Sequence, residues 1–311
     1  MSETLRHVIE SISPASAAHA EGARLRLAPA GVPVLERLAA RLGGAQHTSH
    51  VRSARRMIAV CLGDHGAGDP GLSLGEHHPT VIAAHAIADG TAALATIART
   101  THTPIVIVDA GAREPAHLPA AAIRLGRVAT FDLLREPAMT VVDATLGLDA
   151  GIALAISLSE PGVDLVAVGA LGLGSEVSTA ALLGALARVA TTNATGDEGV
   201  AAANRLGLAF TGSPLEILAA FGGGETAVLA GLMLAAASMN VPVILDGHAT
   251  GAAALVAAAF APAVRGYLIA SHAGIDAAAG PPIFEVGLGH GEGTGAAMLL
   301  PLIDQVAAVC A

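Results

Sequence analysis

Five short runs of β-branched and aliphatic residues punctuate the chain: Met57–Leu62, Pro104–Val108, Val163–Val168, Val241–Leu245 and Gly266–Ile269. They are near-continuously apolar, the pattern of strands buried on both faces. Between them lie longer Ala/Leu segments at helical spacing: His78–Ala98, Asp143–Leu158, Val177–Val189, Pro214–Ala220, Thr226–Met239 and Gly251–Phe260. Strand and helix alternating in this way predict an α/β fold, a mostly parallel sheet flanked by helices. The first 50 residues read mainly as helix, with Leu35–Leu42 amphipathic, and suit a small helical cap. Asn193–Asn204 is the most polar connector and reads as a loop.

Composition removes several function classes. All 16 basic residues are Arg, so the chain holds no lysine for a Schiff base and no Walker-type phosphate loop. Net charge is -10, with five Phe and one Tyr as the only aromatics. No basic stripe or stacking platform is present, and no nucleic-acid partner is expected. Cys61 and Cys310 are too few and too distant for a disulfide framework or a zinc pattern. Met1–Pro14 carries Glu3, Arg6, His7 and Glu10, which is no signal peptide, so a cytoplasmic protein is expected. The longest uncharged apolar stretches, Thr226–Asn240 and Ala249–Val264, fall short of the about 20 residues of a membrane span. With 71 Ala and 37 Gly, the helices are expected to pack closely on the sheet.

Ligands of doubly wound sheets bind beyond the carboxyl ends of the strands. Those ends here read Gly63-Asp64-His65-Gly66, Asp109-Ala110-Gly111, Gly169–Ser175, Asp246-Gly247-His248 and Ser271-His272. Each alone reads as a cap or turn; five together point to a site. Gly169–Ser175 holds G-x-x-G-x-G, which serves either as a phosphate loop or as a tight strand-to-helix turn. Its order is not the dinucleotide fingerprint G-x-G-x-x-G, and only that partial likeness supports a nicotinamide-dependent oxidoreductase. Gly287–Gly295 reads GLGHGEGTG. Glu292 there is either a general base or an acid favoured by the dipole of the following helix. Of the 13 His, His248, His272 and His290 stand beside these ends. Glu76-His77-His78 with His85 matches no zinc spacing, and no metal is expected.

Taken together the motifs resemble one family, the nicotinate-nucleotide:dimethylbenzimidazole phosphoribosyltransferases of cobalamin lower-ligand assembly. The matching stretches are Leu62–Gly66, Gly71–Ser73, Arg135–Thr140 (REPAMT), Gly169–Ser175, Pro214–Glu225, Val241–Gly247, Tyr267–His272 and Leu288–Ala297. The resemblance implies a Rossmann-like large domain (residues 51–285). It also implies a small helical domain built from residues 1–50 and 286–311, the latter carrying the catalytic loop, usually in a homodimer. It implies phosphoribosyl transfer from nicotinate mononucleotide to an aromatic base such as 5,6-dimethylbenzimidazole, with no cofactor or metal. Glu292 takes the catalytic-base position. Gly172, Gly174 and Ser175 take the phosphate and ribose loop, Ser271 and Gly291 lie near the phosphate, Asp246 near the ribose, and Ser73 in the acceptor pocket.

The departures fall at the same places. Ala170 replaces the family's glutamate in the glycine loop, and Ser175-Glu176 replaces Asn-Thr. The family's phosphate-binding lysine is absent, with Arg205 the nearest candidate to replace it. His248 and His290 stand at apolar acceptor-end positions and suit a phenolic or hydroxylated ring. Two readings follow: an active transferase, for benzimidazole or another acceptor, or a weakly active paralogue that binds a ribonucleotide and supports a heteromeric partner subunit.

Overall fold

The computed structural model describes every residue except 69–70, 161, 189–197, 273–278, 286 and 289–290. The N-terminal region folds into α1 (Glu3–Ser11), α2 (Ala17–Leu27) and α3 (Pro33–Ala45). Then come β1 (Arg56–Leu62), α4 (Pro79–Ala88), α5 (Ala93–Thr100), β2 (Ile105–Asp109) and β3 (Ile123–Arg124). A long crossover helix, α6 (Val141–Ser159), leads to β4 (Leu165–Leu171), α7 (Ser175–Leu182), α8 (Glu198–Ala209) and α9 (Pro214–Phe221). The chain closes with α10 (Gly224–Ser238), β5 (Val243–Leu245), α11 (Gly247–Phe260), β6 (Leu268–Ala270) and α12 (Thr294–Cys310).

The six strands form one parallel sheet in the order β3-β2-β1-β4-β5-β6. This is the Rossmann order, in which the chain reverses direction between β1 and β4 and leaves a crevice at their carboxyl ends. Because side chains alternate across a strand, β1 feeds two cores. Ile58, Val60 and Leu62 pack with α2, α3, α4, α5 and α12, while Ala59 and Cys61 pack with α6, α10 and the remaining helices. The N-terminal helices α2 and α3 therefore share a core with α12 across one sheet face, whereas Leu5 and Val8 of α1 belong to the other core.

Three expectations need correction. The segment His78–Ala98 is two helices, because a turn at Asp89–Ala92 separates α4 from α5. Residues 198–204, expected in a loop, form the first part of α8, where Ala203 and Asn204 are buried and the Asn204 amide donates to the Ala180 carbonyl of α7; residues 193–197 lie outside those described. The segment Val177–Val189 is α-helical only to Leu182 and then widens into a π turn, Leu183–Ala187, where Gly184 lies against the Asn204 carbonyl; Val189 lies outside the described residues. β3 was not expected, since two exposed residues make no apolar run.

Among the described residues, two stretches, Pro79–Thr100 and Val141–Ser159, are long and apolar enough by length and composition to cross a membrane. Asp143 and Asp149 keep the second from forming an uncharged run. One face of α6 packs on α10 so closely that only glycine fits. A Cβ at Gly147 would stand 2.6 Å from that of Ala227, one at Gly151 would overlap the Val228 carbonyl, and one at Gly231 the Leu148 carbonyl. Gly151→Ala gains roughly 1 kcal/mol of helix propensity but must push backbone apart. Overpacking of this kind costs about 1–3 kcal/mol, so a lowered urea midpoint is expected. Ser157→Ala, on the exposed face of α6, should leave the midpoint nearly unmoved.

Candidate active site

The crevice forms where the pairing of β1 and β4 runs on past the sheet. Gly63 N donates to Leu171 O at 2.9 Å, and His65 N to Leu173 O at 2.9 Å. Gly172 has no room for a side chain, because a Cβ there would overlap the Gly63 carbonyl. Gly174 turns the chain with φ +79° and caps α7, so the helix begins within the loop. Ser175 is half-buried in the first turn, and Glu176 is exposed.

Asp64, 2% exposed, ties the surrounding loops together. Its Oδ1 accepts from Leu173 N at 2.9 Å and from the Thr80 hydroxyl at 2.5 Å, and its Oδ2 accepts from Arg113 N at 2.8 Å. A buried carboxylate is tolerated when donors occupy its oxygens, as here. The sequence marked Asp64 as part of a strand end and assigned it no role.

The Glu292 loop is built from the opposite side. β5 pairs with β4 at Val166 and Ala167 and goes no further, so the far end of β4 meets the Glu292 loop instead. Ala170 N gives its hydrogen bond to Gly291 O at 3.0 Å. Gly169 permits this, since a Cβ there would overlap the backbone of Glu292. Gly293, with φ +112°, caps α12 and donates its N–H to Asp246 Oδ2 at 2.6 Å. Glu292 thus precedes a helix N-terminus. Its side chain is half-buried and accepts from the Thr294 hydroxyl at 2.9 Å.

Asp246 caps α11 and is fully buried. Its other oxygen, Oδ1, meets His272 Nε2 at 2.8 Å. Both carboxylate oxygens are therefore held by protein donors. Ser271, also fully buried, donates its hydroxyl to the Leu245 carbonyl at 2.7 Å. His248 is exposed in the first turn of α11. The protein packed around its ring, and then the neighbouring His272, hold its imidazole below the ordinary histidine value.

The structure thus gathers Gly291, Glu292, Asp246, His248 and Ser271 around the ends of β4 and β5, with Gly172, Gly174 and Ser175 at the β1–β4 crevice. Two expected residues stand apart. Ser73 is exposed, and its hydroxyl donates to Glu114 Oε1 at 2.6 Å; the same oxygen accepts from Leu74 N and Gly75 N. Arg205 is exposed on α8, and among the described residues no hydrogen bond or ion pair joins it to the glycine loop. His290 lies outside the described residues. Among those described, no group of three or more His, Cys, Asp or Glu is placed to hold a metal ion.

Beneath the crevice lies a buried pair that the sequence reading missed: His65 Nε2 and Glu225 Oε1, 3.0 Å apart and 160 residues apart in the chain.

A phosphoribosyltransferase family model matches residues 10–311. The nicotinate-nucleotide--dimethylbenzimidazole phosphoribosyltransferase of Deinococcus radiodurans is 37% identical, over 99% of this chain and 93% of its own. The protein of the same name from Roseiflexus sp. is 33% identical, over 86% of this chain and 82% of its own. A crystal structure of nicotinate-nucleotide-dimethylbenzimidazole phosphoribosyltransferase from Thermus thermophilus superposes with a TM-score of 0.83 at 29% identity, covering 95% of this chain and 96% of the other. The fold agrees with these likenesses, and the chain belongs to the phosphoribosyltransferase family that they represent.

Proposed function

We propose that the protein transfers the phosphoribosyl group of nicotinate mononucleotide to an aromatic base of the benzimidazole type, a step in assembling the lower ligand of cobalamin. The Gly291-Glu292-Gly293 loop carries this reading. It is locked to β4 through Ala170 and to the end of β5 through Asp246, and it presents a half-buried carboxylate beside these strand ends.

In the reaction a ring nitrogen of the acceptor attacks the anomeric carbon. The new C–N bond forms as the bond to nicotinate breaks, and the released electron pair leaves the pyridine nitrogen neutral. The N–H proton of the acceptor passes to the Glu292 carboxylate, the base that the geometry offers. Because the chain contains no lysine, no ammonium group can hold the donor phosphate, which leaves arginine side chains and backbone N–H groups. The glycine loop at the start of α7 supplies such groups, and the starts of α11 and α12 add the positive ends of two helix dipoles nearby. Held in place, donor and acceptor gain the advantage of orientation.

His248 favours a second acceptor class. An exposed imidazole beside His272 suits a ring that carries a hydroxyl, such as a phenol or a hydroxylated benzimidazole. The test is a mass-spectrometric assay of purified protein with nicotinate mononucleotide and a panel of benzimidazoles, purines and phenols. Nicotinate release with a ribosyl-phosphate adduct is expected, and the preferred acceptor distinguishes the two classes. Folded protein that forms no product with any acceptor would overturn the assignment in favour of a partner-subunit role.

A further inference from the structure

The proposed chemistry makes no use of the His65–Glu225 pair, yet the fold is shaped around it. His65 is 1% exposed and Glu225 2%. Glu225 Oε1 accepts from His65 Nε2 at 3.0 Å and from the Thr226 hydroxyl at 2.9 Å. Among the described residues, Glu225 Oε2 and His65 Nδ1 have no hydrogen-bond partner. Two glycines keep the space clear: a Cβ at Gly63 or at Gly223 would overlap Glu225 Oε2, and the one at Gly223 would also stand 2.5 Å from His65 Cε1. Burial opposes the charge on His65, but the adjacent Glu225 outweighs it and holds the imidazole above its ordinary value. Burial likewise pushes Glu225 up, and His65 pulls it below the usual carboxylate range. Each group thus favours the ionised form of the other, in a place where a packed apolar pair would cost less.

The position of the pair gives it a role. His65 donates its backbone N–H to Leu173 O, and Asp64 beside it accepts from Leu173 N. The middle residue of the glycine loop is thus held on both sides by residues 64 and 65. The His65 Cβ lies 3.1 Å from where a side chain at Gly174 would begin. Glu225, in the first turn of α10, anchors the His65 ring from below.

We infer that His65 and Glu225 are positioning residues: their ion pair fixes residues 64 and 65, and through them the glycine loop at residues 172–174, in the conformation that receives the donor phosphate. The inference rests on the transferase reading for its kinetic arm only. The test uses His65→Gln, Glu225→Gln and the double variant in the full chain. Amide exchange of the 172–175 segment, read by mass spectrometry without substrate, should quicken about tenfold in each single variant while β4 remains protected. The KM for nicotinate mononucleotide should rise about ten- to a hundredfold, with the KM for the acceptor and kcat at saturation changed less than about twofold. The double variant, in which two neutral amides can pair, should be no worse than the poorer single variant.

A wild-type KM and wild-type loop exchange in folded variants would overturn the inference, even if their urea midpoints fall. If wild-type protein turns over no acceptor, the transferase reading fails and the exchange arm still decides the role of the pair. If the Gln variants do not fold, Glu225→Asp keeps the charge and withdraws it by one methylene, and the same two readings apply.

Discussion

Glu292→Gln is expected to slow nicotinate release by about 10²–10⁴-fold, the usual worth of a positioned general base. The protein should otherwise be unchanged. Glu292 is half-buried, and its one hydrogen bond among the described residues comes from the Thr294 hydroxyl, to which a Gln side-chain oxygen can still serve as acceptor. The loop itself is held by backbone contacts, Ala170 N to Gly291 O and Gly293 N to Asp246, that the substitution does not touch. Melting temperature and donor affinity should therefore stay near wild type while kcat falls. Unchanged turnover would remove Glu292 as the base and leave it as an acid favoured by the dipole of α12.

The second large effect is expected at Asp246. Asp246→Ala leaves both the Gly293 N–H and His272 Nε2 without their acceptor in a fully buried place. Each orphaned group costs about 1–3 kcal/mol, and the loop relaxes by moving. Displacement of a reacting group by about 1 Å can lower a rate by about 10²-fold, so turnover should drop by that order. Asp246→Asn should be milder. Its amide oxygen can accept from Gly293 N while its NH₂ donates to His272, provided the imidazole takes the tautomer with Nε2 bare. A ribose contact is the other role expected of Asp246, and steady-state kinetics separate the two. A group acting through the Glu292 loop lowers kcat with little change in donor KM, whereas a ribose contact raises the KM.

Legibility differed from element to element. β1, β2, β4, β5 and β6 were readable as apolar runs because these parallel strands, the edge strand β6 included, are covered on both faces. β3 was not, because it is an exposed two-residue edge. α6 and α10 were readable from Ala/Leu spacing. The π turn at Leu183–Ala187 was not, since it lies inside an unbroken helical pattern, whereas the turn at Asp89–Ala92 carries an Asp-Gly signal that the apolar spacing on either side outweighed. At the site, Glu292 was legible because glycines on both sides of a carboxylate are unusual. Asp246 and Ser271 were legible as residues at strand ends, but not their hydrogen bonds, which join residues 47 and 26 positions apart. His65 and Glu225 each sit inside a motif that reads as loop or cap, and nothing local reveals that they meet.

The order of strands and helices was decided by the sequence itself, through local hydrophobic periodicity, and so was the placing of glycines at strand ends. The absence of lysine, with its consequence for how a phosphate could be held, was equally a matter of sequence. Only the tertiary structure decided which strand ends adjoin. The reversal between β1 and β4 brings Gly63 against Gly172, and the short β5 leaves Ala170 free to bind the Glu292 loop. Only the fold, too, decided which carboxylates are buried on protein donors and which stand open at the crevice. Burial and pairing depend on residues distant along the chain, and no periodicity records those encounters.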